Sequence, residues 1–146
     1  RAGRIDMNTG RLMVLVVLYV IVPSFALAEG NLAKRAERLT PLELNAADGF
    51  SIKTYQIETG KFYRWRITSD GREEYKLLAP ELMRNVWIDQ VVIEDKEVKP
   101  LGGLHALEFD DEGSIDLYFI VVRPGSYPFF IEGLREQGFE GRFEVK

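Results

Sequence analysis

The sequence predicts an all-β chain folded as a two-sheet sandwich, on three observations. After Pro41 the chain breaks into about eight short runs separated by turn signals, the spacing of sandwich strands. No later run has helical periodicity over a helix's length. Trp65, Trp87 and nine phenylalanines supply aromatic bulk for a core between two sheets.

The elements follow in order. Asn31 to Leu39 offers either a short helix capped by Asn31 and stopped at Thr40-Pro41, or a charged lead-in. Leu42 to Leu44 is a short strand before the breaker Ala47-Asp48-Gly49. Phe50 to Glu58 is next, and Thr59-Gly60-Lys61 turns it into Phe62 to Thr68. In that strand Tyr63, Trp65 and Ile67 share one face and Phe62, Arg64 and Arg66 the other, a half-buried pattern of period two. Pro80 to Asn85 suits one helical turn, because proline is acceptable at a first helical position. Val86 to Glu94 is a strand with an irregularity at Asp89-Gln90, and Asp95-Lys96 is a turn. Val98 to Gly103 carries Pro100 and two glycines, so it is an edge strand or a loop. Leu104 to Phe109 and Ile115 to Val122 flank Asp110 to Gly113, which reads as a hairpin connection. The second of these strands is apolar on both faces, as a central strand would be. Pro124-Gly125 fits the middle of a type II turn, and Tyr127 beyond it is placed to cap a neighbouring backbone group with its hydroxyl. The chain closes with Tyr127 to Ile131, a loop marked by Gly133, Gly138 and Gly141, and a strand bearing Phe139, Phe143 and Val145.

Ahead of this domain, Arg1 to Asp6 reads as an upstream extension. Arg11, the apolar run Leu12 to Val22 and the small residues Ala26 and Ala28 read as a secretory signal cleaved after Ala28. Its eleven apolar residues fall short of the about 20 that cross a bilayer. The expected organisation is therefore a leader over residues 1–28, a lead-in over 29–41 and the sandwich over 42–146, in a periplasmic or secreted protein. Losing Arg1, Arg4, Arg11 and Asp6 would reduce 19 basic and 23 acidic side chains to 16 and 22, net −6. That balance argues against nucleic acid and anionic membranes as partners, which need clustered positive charge. Membrane contact is expected only through an uncleaved leader.

The loop between the last two strands carries a resemblance. It is similar to the copper loop of the cupredoxin family, where a proline-glycine turn and an aromatic strand lead to Cys, Pro, Gly, His, a spacer, Gly, Met, one residue and Gly. Without gaps, Gly133, Gly138 and Gly141 match the glycines. Ile131 stands at the cysteine, Leu134 at the histidine and Phe139 at the methionine. Tyr75, after the loop Ser69-Asp70-Gly71, falls where the family has its first histidine. The resemblance covers about residues 42–146 and implies a Greek-key sandwich. It is similar to the iron-uptake, EfeO-type members, and implies one that has lost the type 1 copper ligands. The chain has no cysteine and one histidine, so no position can supply the thiolate of a blue-copper centre. No cofactor is expected.

The remaining chemistry is sparse. Glu108, Asp110, Asp111 and Glu112 lack the spacing of a calcium loop and read as a solvated tip. Glu132 and Glu136 are expected to pair with Arg135 and Arg142 at the surface. No Ser-His-Asp set, phosphate loop or zinc spacing is present, so no catalytic residue is expected. The leading expectation is an extracytoplasmic interaction module, offering Ile131, Leu134, Phe139 and Arg135 to a protein partner. The alternative is a copper-binding or electron-transfer protein with nonstandard ligands near His105 and Met83.

Overall fold

The computed structural model describes residues 32–146; the expected leader lies outside them. Twelve strands among the described residues form two sheets. The seven-stranded sheet contains β1 (Glu37–Arg38), β2 (Leu42–Asn45), β3 (Gly49–Phe50), β5 (Phe62–Asp70), β7 (Val86–Ile93), β8 (Lys96–Val98) and β10 (Glu112–Val121). Its order is β3-β2-β5-β10-β7-β8, with β1 also pairing to β5. The five-stranded sheet contains β4 (Thr54–Ile57), β6 (Tyr75–Leu78), β9 (Leu107–Phe109), β11 (Gly125–Ile131) and β12 (Glu140–Val145), in the order β4-β12-β11-β6-β9. One helical turn, α1 (Pro80–Met83), has its proline at the start. No helix among the described residues is long and apolar enough to cross a membrane.

The strand count exceeds the expected eight because β1 and β8 are only two or three residues long, too short to show a period of two, and because Tyr75–Leu78 forms β6 where no strand is expected. Residues 32–36 form a turn and irregular backbone, and Glu37–Arg38 joins β5 in parallel, so the helical option for the lead-in is not taken. The run from Phe50 to Glu58 is two strands, β3 in one sheet and β4 in the other. Asp110 to Gly113 does not close a hairpin. β9 pairs with β6, whereas both edges of β10 are occupied by β5 and β7, so the link carries the chain from one sheet to the other. Gly125 has φ 156° and opens β11, far from the roughly +80° a type II turn requires.

Between the sheets the inward residues of β5 and β10 pair as Trp65 with Leu117, Tyr63 with Phe119 and Ile67 with Ile115. Trp65 is fully buried, edge-on to Phe143 at 4.9 Å and to Phe129 at 5.2 Å. Such pairs contribute about 0.5–1.5 kcal/mol beyond area burial. Trp87, expected in this core, is 57% exposed. Asp89 has no partner on β10, since Gln90 faces Tyr118 and Ile88 faces Phe119. This bulge turns Trp87 outward opposite Ile120. The hydroxyl of Tyr127 donates to the Arg123 carbonyl at 3.0 Å, the corner contact expected of it.

Candidate functional site at the closed end of the sandwich

The loop between β11 and β12 is short because its backbone folds upon itself. The Ile131 amide donates to the Phe139 carbonyl at 3.0 Å, and the Leu134 amide to the Ile131 carbonyl at 3.1 Å. A single 3-10 turn, Arg135–Gln137, ends at Gly138 with φ 87°. That left-handed conformation favours glycine. The Gly138 carbonyl accepts from the Phe50 amide at 3.1 Å and from the Lys53 ammonium, which ties the loop to the segment joining the sheets. At Gly141 a Cβ would lie 2.5 Å from the Phe129 ring and 2.9 Å from the Lys53 carbonyl. A side chain there would therefore push the strand off the core.

The four singled-out positions come together at this end. Ile131 lies opposite Leu77 on β6, two residues from Tyr75. Phe139 stacks obliquely on Tyr75 with ring centroids 5.4 Å apart, and edge-on to Phe50 at 5.5 Å. Tyr75, Ile131 and Phe139 are fully buried, while Leu134 packs on the core from its rim.

The polar group here is the Tyr75 hydroxyl, which donates to the Asp70 carboxylate at 2.9 Å. Burial, then the bond to Asp70, holds the Tyr75 phenol well above its usual range. Burial pushes the Asp70 carboxyl up, but the Ala46 and Arg72 amides and the Tyr75 hydroxyl outweigh it, leaving the carboxyl below its usual range. The loop preceding Tyr75 is thus pinned by a carboxylate.

Two expectations change. Ile131 and Phe139 are enclosed, so the proposed contact surface of Ile131, Leu134, Phe139 and Arg135 is reduced to Leu134 and Arg135. The Arg135 guanidinium sits 3.3 Å from the centroid of the Phe130 ring. Glu132 pairs with Lys76 at 2.9 Å rather than with an arginine, because β6 runs beside β11 and brings Lys76 alongside. Arg135 turns to Glu140 and Arg142 to Glu144.

His105 and Met83 line one small recess with Leu77, Leu104 and Leu107, floored by Trp65. None of Tyr75, Ile131, Leu134 and Phe139 lines it. Among the described residues no three His, Cys, Asp or Glu side chains gather as a metal site, the Glu108 to Glu112 stretch included.

Sequence reasoning missed Asp116. It is buried in β10, on the outer side of the seven-stranded sheet, between Arg64 Nη2 at 2.6 Å and Arg66 Nε at 2.8 Å. Burial pushes its carboxyl up, and the hydrogen bonds and charges of Arg66 and Arg64 bring it below the usual range. The alternation Arg64, Arg66 against Asp116 on adjacent strands was the available signal.

No family model matches the sequence. No curated protein matches it at a significant level. Among solved structures the chain is similar to a multicopper oxidase from Campylobacter jejuni, a metallo-oxidase, with TM-score 0.53 and 10% identity over 77% of this chain and 31% of that one. It is also similar to the copper nitrite reductase from Nitrosomonas europaea, with TM-score 0.50 and 15% identity over 62% of this chain and 32% of that one. The chain spans about a third of the length of each. At such identities the likeness is one of fold: the described chain is a cupredoxin-like β-sandwich.

Proposed function

We propose that this chain is a periplasmic or secreted cupredoxin-like domain that works without type 1 copper, as a binding or protein-interaction module in the setting of copper or iron handling. The observation that carries the reading is the closed end itself. A type 1 centre needs thiolate and imidazole donors in a pocket. Here Ile131, Leu134 and Phe139 offer hydrocarbon, and the Tyr75 hydroxyl is already committed to Asp70. The residues do not fit the ion. Burying each such side chain contributes about 1.5–3 kcal/mol, so the same positions serve the core. The enclosed side chains leave Leu134 and Arg135 at this end, and Trp87 on the opposite sheet, as the places an extracytoplasmic protein partner would meet. The low identity to its structural neighbours places the iron-uptake relationship on the sequence resemblance alone.

A second reading rests on Met83 and His105 lining one recess, which would hold copper through nonstandard ligands. Copper titration of the purified full chain, followed by calorimetry and visible absorption, separates the two. The first reading expects no stoichiometric uptake and a melting temperature indifferent to a chelator. Stoichiometric uptake abolished by His105→Ala would overturn it in favour of the second.

A further inference from the structure

The cleft beside β5 concentrates positive charge in an otherwise acidic protein. Arg38, Arg64 and Arg66 line it with Leu39 and Pro41. Its volume is about 190 Å³, against the about 10–15 Å³ that one water requires, so it is a recess with room for a small ion. The strand pairing builds it: β1 runs parallel to β5, Arg38 lies opposite Arg64, and the chain continues in the same direction through Leu39 and Pro41 into β2, which is also parallel to β5.

The three guanidiniums differ in what they already hold. Asp116 takes two hydrogen bonds from Arg66, through Nε at 2.8 Å and Nη2 at 2.9 Å, and one from Arg64 Nη2 at 2.6 Å. One carboxylate therefore fixes two cations and cancels one charge. The Arg64 Nε is buried without a hydrogen-bond partner. Arg38 has no ion pair among the described residues, and the Arg66 side chain is 45% exposed. Five N–H donors per guanidinium leave most of this donor set unused. A pair of arginines held on one carboxylate, with a third at the rim that has no ion pair among the described residues, is an arrangement that receives a planar or tetrahedral oxyanion.

We infer that this cleft binds a small oxyanion, a carboxylate or a phosphate group, between Arg38 and the Asp116-anchored pair Arg64 and Arg66. The apolar Leu39 and Pro41 give the rest of such a ligand a surface to lie on. Asp116 here is a positioning residue, and Arg38 is the contact that the fold does not otherwise need.

Inorganic phosphate and, separately, acetate would be titrated into the full-length chain at constant ionic strength, with amide shifts of β1 and β5 recorded and sodium chloride as the reference. The expected result is saturable shifts confined to Arg38, Leu39, Arg64 and Arg66 with at least one of the two anions. Saturation by phosphate alone assigns a phosphate ligand, and saturation by acetate assigns a carboxylate. Arg38→Gln should weaken binding by at least about tenfold, as the loss of one charge-assisted contact implies, without changing the melting temperature in the absence of anion. Arg38→Lys should recover part of the affinity. Shifts no larger than those in sodium chloride with both anions, or equal affinity in Arg38→Gln, would overturn the assignment.

Discussion

Two regions of this molecule use the same residue types to opposite ends. At the closed end the rings of Tyr75, Phe139, Phe50 and Phe129 touch in succession, tilted or edge-on, with centroids 5.3–5.5 Å apart, and they are enclosed between the two sheets. On the outer face of the seven-stranded sheet, Phe62, Ile120 and Trp87 stand side by side across β5, β10 and β7. Trp87 is 57% exposed and Phe62 only partly buried there. Ile120 is nonetheless only 8% exposed, because its large neighbours shield it, and Tyr118 lies beside Phe62 at 6.1 Å. An aromatic residue's contribution is therefore set by what lies across from it. Two layers make a core, and one layer makes a surface that shelters only its own middle.

Three substitutions probe the two faces. Phe139→Ala should be the most damaging, at about 3–5 kcal/mol, read as a fall in the urea midpoint with unchanged slope. A loss below about 1 kcal/mol would mean that the closed end can collapse, and that it is less tightly packed than its ring contacts imply. Asp116→Asn should cost about 2–4 kcal/mol, less than breaking a wholly buried pair because Arg66 is open to water. The same carboxyl predicts a pH dependence. Its folded pKa is lowered, so its contribution is present above the ordinary carboxylate value near 4 and is lost as pH falls through the lower folded value. Comparing acid melts of the wild type and Asp116→Asn should show the wild type losing its advantage below about pH 4. Trp87→Ala should be mildest, within about 1 kcal/mol, since the side chain is mostly solvated. A larger loss would show that the outer face contributes to folding after all.

These regions were not equally legible in the sequence. Strand β5 could be read because Tyr63, Trp65 and Ile67 alternate strictly with polar partners, and the structure keeps that parity. The closed end could be placed because its three glycines mark a loop, and Gly138 and Gly141 serve conformation and clearance there. Trp87 was misplaced for a countable reason. Stepping by twos from the buried Val91 puts Trp87 inside, and the extra residue at Asp89 reverses the count. The Asp110 to Gly113 link was misread because turn residues signal a change of direction, not which sheet receives the next strand. Glu132 was assigned to the wrong cation because the nearest arginine in sequence is not the nearest cation in space, once β6 lies beside β11. The arginine cleft was missed because it assembles from β1 and β5, and a two-residue strand leaves no periodic trace.

The bulge at Asp89 has a bearing on how the chain could vary in length. Removing one residue from within a regular strand turns over every side chain beyond the cut and exchanges its inner and outer sets. Here Ile88 and Val91 already face the same way across two intervening residues, so excising Asp89 would leave an ordinary alternation with both still inside. The middle of a core strand, usually the last place to tolerate a deletion, is in this protein a place where one can be absorbed.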